Sequence, residues 1–111
     1  MRPVVVRLTA SGSSTVIPLD HYKQPFNVGV GVVLSAGATM TYTVEHTFDD
    51  PFDSGFSASS ATWFSNSGLS SKTASSDGNY AYPVRAVRLT TNSYTSGTAT
   101  MTVIQAGMPG R

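Results

Sequence analysis

From Thr39 the chain reads TMTYTVEHTFDD, and every second position is large: Met40, Tyr42, Val44, His46 and Phe48 alternate with Thr39, Thr41, Thr43, Glu45 and Thr47. Successive side chains of an extended strand point to opposite sides, so this spacing predicts a β-strand with an apolar face and a threonine-lined face turned to water. TATMTVIQA repeats the pattern, with Ala99, Met101 and Val103 set against Thr98, Thr100 and Thr102. Further strands are predicted over Val4–Thr9, Ser14–Leu19, Phe26–Leu34, Ala61–Phe64 and Tyr82–Thr91. No window of ten or more residues carries a helical period.

Turn chemistry separates these runs. SGSS at Ser11–Ser14, SAGA at Ser35–Ala38, SSDGN at Ser75–Asn79 and TSGT at Thr95–Thr98 supply the glycine and Asp-Gly positions that tight turns need. Short strands punctuated in this way predict an all-β chain, an antiparallel β-sandwich of jelly-roll type. At 111 residues it reads as a single domain, with extended arms at about residues 1–3 and 107–111. Two features break the regularity. Gly29 and Gly31 fall inside a strand, where a bend is the expectation. The span from Asp49 to Asn79 is rich in Ser, Ala and Gly, yet it holds Phe52, Phe56, Trp63, Phe64 and Leu69, too many apolar groups for a solvated linker.

Composition narrows the function classes. Charged residues make up 12% of the chain and the net charge is +1, with the seven basic residues scattered. Phosphate backbones are bound by clustered Lys and Arg, so nucleic acid is not an expected partner. With no cysteine there is no disulfide, thiol nucleophile or cysteine-held zinc. The apolar run in MRPVVVRLTASG is too short for a signal peptide, and no segment approaches about twenty apolar residues. No membrane partner is expected, and the chain reads as made and used without a cleaved signal.

Each candidate for chemistry has a structural counterpart. Glu45, Asp49, Asp50 and Asp53 could offer oxygen ligands to calcium, but the spacing lacks the D-x-D-x-D-G pattern and Pro51 interrupts it. Otherwise Asp49 and Asp50 end a strand and Asp53 serves a side-chain turn before Gly55. The same acids read as a glycosidase pair would need to face across a cleft. His21 and His46 lie in different elements, neither beside a nucleophile motif, and His46 on its apolar face reads as a hydrogen-bonded core or rim histidine. No phosphate-binding loop, dinucleotide fingerprint or HExxH motif occurs, so no catalytic residue, cofactor or metal is expected. Trp63, Phe64, Tyr80 and Tyr82 could form a sugar-stacking platform, core or interface anchors. Arg85 and Arg88 are three apart and cannot share a strand face, so one is expected toward a partner or bulge and the other toward solvent.

The blocks TYTVEHTFDDPFD and YPVRAVRLTTNSYTSGTATMTVIQAG, with ATWF between them, resemble the capsid decoration, or cement, proteins of short-tailed bacteriophages. That resemblance implies a non-enzymatic virion protein on the outer capsid surface, made in the host bacterial cytoplasm, which staples neighbouring major capsid proteins. The residues expected to touch the shell or another copy are Arg2, Pro3 and Val4 in one arm, Met108, Pro109 and Arg111 in the other, and Phe52, Phe56, Trp63 and Phe64 in the long loop. A homodimer at a two-fold axis accords with the commonest oligomer symmetry. The competing reading is a carbohydrate-binding or receptor-contacting module of a tail or fibre, with Trp63, Tyr80 and Tyr82 stacking on sugar.

Overall fold

The computed structural model describes residues 4–19 and 27–106. The arm residues Arg2, Pro3, Met108, Pro109 and Arg111, and also His21, lie outside the described residues. Strands follow in the order β1 (Val4–Leu8), β2 (Gly12–Ser13), β3 (Ile17–Pro18), β4 (Asn27–Leu34), β5 (Thr39–Thr47), β6 (Phe64–Ser65), β7 (Ser76–Tyr80), β8 (Ala86–Ser96) and β9 (Ala99–Ala106), with one 3₁₀ turn at Ser67–Leu69. They form two antiparallel sheets, β1-β9-β4-β7 and β2-β8-β5-β6, with β3 also pairing β8. The fold is an all-β antiparallel sandwich. Its pairings are nested: β1 meets β9, β2 and β3 meet β8, β4 meets β7, and β5 meets β6.

The alternation read from the sequence selects the core. Val28, Val30 and Val32 of β4, Met101 and Val103 of β9, Met40, Tyr42 and Val44 of β5, and Val87 and Leu89 of β8 are buried between the sheets. Each fully buried aliphatic side chain contributes about 1.5–3 kcal/mol, which is how a chain without disulfides holds together.

Four expectations are corrected. SSDGN is no turn: Ser76–Tyr80 is the edge strand β7, and the free side of β4 imposes the pairing, Gly78 opposite Val30. Ser14–Leu19 gives no continuous strand but two short contacts, β2 and β3, on the flank of β8. β8 begins at Ala86 rather than Tyr82 and runs on to Ser96. The threonine face of β5 is not simply wet, since Thr43 and Thr47 are buried. Thr43 Oγ1 donates to Asn92 Oδ1 at 3.0 Å and accepts from Ser71 N at 3.0 Å, while Thr47 Oγ1 accepts from Asp49 N at 3.1 Å. The long loop thus lies back against the sheet. It is fastened by Lys72, bridged to Tyr42 through both backbone hydrogen bonds, and by the Tyr42 hydroxyl, which donates to Ala74 O at 2.7 Å.

Candidate functional site: an aromatic end of the sandwich

β5 carries its inward face past the last aliphatic residue of the core to His46, and beyond the strand end to Phe48. Edge strand β6 sets Phe64 opposite His46, and β7 ends at Tyr80 with Tyr82 two residues on. Five rings meet there. His46 stacks on Phe64 at 5.9 Å between centroids and takes edge contacts from Tyr80 at 4.9 Å, Phe48 at 5.7 Å and Tyr82 at 5.9 Å. Phe48 lies 5.8 Å from Phe64, and Tyr80 lies 5.8 Å from Tyr82.

Burial divides the group. His46 and Tyr80 are buried, whereas Phe48, Tyr82 and Phe64 are 51%, 50% and 48% exposed. The buried pair shares a hydrogen bond, His46 Nδ1 to the Tyr80 hydroxyl at 2.9 Å, so a polar post stands under three half-open rings. Burial pushes the Tyr80 phenol well above its usual range, with a hydrogen bond to Asn66 working the other way.

Burial also holds the His46 imidazole below its ordinary pKa, so it is neutral in the folded protein near neutral pH. The unfolded chain, with an ordinary histidine near 6.5, takes up the proton first. The His46 contribution to stability is therefore fully present above about pH 6.5 and is lost as pH falls from there through the folded-state value. In urea denaturation at a series of pH values, wild type is expected to lose stability relative to His46→Gln as the pH drops below about 6.5. A difference that stays constant across that window would contradict the assignment.

The other expected site residues separate. Trp63 and Phe64 are neighbours on extended chain and point to opposite sides of the sheet. Trp63 is half-buried; its Nε1 donates to Ala58 O at 2.9 Å and the Arg88 guanidinium lies 4.1 Å above its ring. Arg88 Nε in turn contacts Glu45 Oε1 at 2.8 Å, and Thr90 Oγ1 donates to the same oxygen at 2.9 Å. Arg85 pairs with Asp50 at 3.2 Å. Both arginines have found carboxylates, Arg88 in a largely covered pair and Arg85 in one more open to solvent. With Tyr80 buried and Trp63 under Arg88, the platform of Trp63, Tyr80 and Tyr82 is not assembled; Phe48, absent from the sequence-based candidates, takes their place beside Tyr82 and Phe64. Its position on the His46 face of β5 was the available signal.

The acidic loop encloses an open cavity of about 410 Å³ lined by Asp49, Asp50, Asp53 and half-buried Phe56. Asp49 Oδ2 accepts from Thr62 N at 2.9 Å, and Asp50 Oδ1 accepts from Phe52 N at 2.9 Å. The side-chain turn thus belongs to Asp50 and not Asp53, whose backbone N and O close the turns to Asp50 and Phe56. Among the described residues no three His, Cys, Asp or Glu side chains converge as metal ligands, and no helix is long and apolar enough to cross a membrane. Phe52 stands 79% exposed on this loop, while Val4 is half-buried in β1, paired with Val103 and packed against the core.

Comparison of the chain with known protein families, with curated proteins and with solved structures finds no match.

Proposed function

We propose that this protein is a non-enzymatic structural module that docks its aromatic end on another protein. On the resemblance noted above, that partner is the major capsid protein on the outside of a phage head, and the nested strand order is read as a jelly roll. The observation that supports docking is the trio Phe48, Phe64 and Tyr82, half-exposed yet held in place on buried His46 and Tyr80. Aromatic anchors fixed before contact lose little entropy on binding. Of the neighbouring charges among the described residues, Arg85 is paired with Asp50 and Arg88 with Glu45, while Asp49 beside Phe48 accepts from the Thr62 backbone N.

Magnitude bears on the kind of binding. Half of three aromatic side chains is roughly 300 Å², and covering it gains about 7 kcal/mol at 25 cal/mol per Å². Association itself costs about 4–15 kcal/mol. One such patch gives weak attachment, which suits a protein present in many copies on a repeating shell, where occupancy adds to the stability of the assembled form by mass action.

The test is co-sedimentation with assembled heads stripped of the protein, followed by heating. Wild type is expected to bind saturably and raise the disruption temperature. Phe64→Ser and Tyr82→Ser should each weaken binding by about 2 kcal/mol, as central aromatic anchors do. Trp63→Ala should leave head binding in place, because its ring is engaged under Arg88. Absence of head binding, with glycan capture that the Tyr82 variant abolishes, would overturn the reading in favour of a carbohydrate-binding module.

A further inference from the structure

The outer face of the β1-β9-β4-β7 sheet carries features that the single chain does not account for. Gly29 and Gly31 lie in β4, which is paired on both sides, and glycine in such a place weakens a strand. Register runs unbroken through both, so neither marks a bulge. A Cβ at Gly31 would meet nothing within 4 Å, and one at Gly29 would make only an ordinary 3.9 Å contact with Ile104 O. The chain by itself would tolerate larger residues at both positions. Glycine is needed in a strand where a second surface approaches closely.

The residues around the glycines are apolar or neutral. Val5, Val33 and Ile104 are exposed on three adjacent strands, with Thr100 and Thr102 between them. Among the described residues, the two charges on the face are of opposite sign and sit on opposite edges, Arg7 on β1 and Asp77 on β7, both exposed. Among the described residues neither makes an ion pair.

We propose that this face is the contact between two copies of the chain, related by a two-fold axis running along the strands between the two sheets. Such a rotation lays β1 of each copy over β7 of the other and β4 over β9. The register then fixes what meets: Gly29 and Ile104 share one row, and Gly31 and Thr102 the next, so the larger side chains of each copy fall on the glycines of the other. Arg7 stands one two-residue step along the strand from the row of Asp77, about 7 Å, within reach of an arginine side chain. Because the contact is isologous, both ion pairs form at once. The charge pattern favours a second copy over an unrelated protein, since one sign on each edge is self-complementary under this operation. The aromatic end is built from other residues, so a dimer would present two docking patches to one shell and gain by effective concentration.

Sedimentation equilibrium of the purified chain over a wide concentration range tests this directly. Wild type is expected to be dimeric, and Gly31→Lys monomeric with an unchanged far-UV spectrum, because the space above Gly31 is open in the single chain. Asp77→Arg should weaken the dimer by about tenfold or more by placing like charges together, and the double change Arg7→Asp with Asp77→Arg should restore it. A wild type that is monomeric at every concentration, or a dimer that survives Gly31→Lys, would overturn the proposal.

Discussion

Replacing Gly97 by alanine is expected to remove about 3 kcal/mol of stability, a substantial fraction of the roughly 5–15 kcal/mol that holds a domain folded. Gly97 begins the tight connection between β8 and β9 at φ +102°, a conformation that a side chain rarely adopts. The space is closed as well: a Cβ there would lie 2.4 Å from Ala38 Cβ and 2.7 Å from Ala38 Cα. Ala38 cannot yield cheaply, because this turn is fastened to the preceding one, with Ser35 N donating to Thr98 O at 2.9 Å and Thr98 N donating to Ser35 Oγ at 2.9 Å. Thermal melting should show a drop of roughly 12–15 °C, while Thr98→Ala, which keeps both backbone groups, should stay within about 0.5 kcal/mol of wild type. An unchanged melting temperature for Gly97→Ala would mean that the two turns are not packed together.

Leu69→Ala is expected to cost about 3 kcal/mol and to loosen the long loop before the sheets separate. Leu69 is fully buried at the end of the 3₁₀ turn, which Asn66 caps by accepting from Gly68 N at 2.9 Å. The side chain lies over Gly78 of β7, where an added Cβ would come within 3.1 Å of Leu69 Cδ1. Two residues past Ser70, Lys72 is bridged to β5 of the other sheet. The loop therefore clips the two sheets together, and Leu69 is its apolar pin. Urea denaturation gives the magnitude, and limited proteolysis should cut the variant within residues 49–75 under conditions that leave wild type whole. Equal protease resistance of the two proteins would place the pin elsewhere.

The long strands were legible because their alternation is decided locally: β4, β5 and β9 each bury the residues that period two selects, and the turns at Ser35–Ala38 and Thr95–Thr98 fall where glycine chemistry puts them. What was not legible depends on pairing between distant segments. Ser76–Tyr80 has the composition of a turn and becomes a strand only because β4 offers an unpaired edge. Arg88 reads as a free charge until β8 comes beside β5 and sets it opposite Glu45. The aromatic end is intermediate. His46 and Phe48 share a face by simple spacing, but Phe64 joins them through β6, where only the last residue of the run expected as a strand at Ala61–Phe64 is paired, together with Ser65.

The nested pairing also dictates an order of events in time. β9 lies in the middle of its sheet, between β1 and β4, although it is the last of the described strands in sequence. Until Ala99–Ala106 has been synthesised, β1 has no neighbour and the β4·β7 pair lacks its inner flank. Contacts between segments so far apart in sequence form slowly, and a growing chain meanwhile exposes strand edges able to pair with other molecules. On the ribosome this sandwich closes late: a nascent chain stopped short of β9 lacks the middle strand of one sheet and is a substrate for chaperones and proteases.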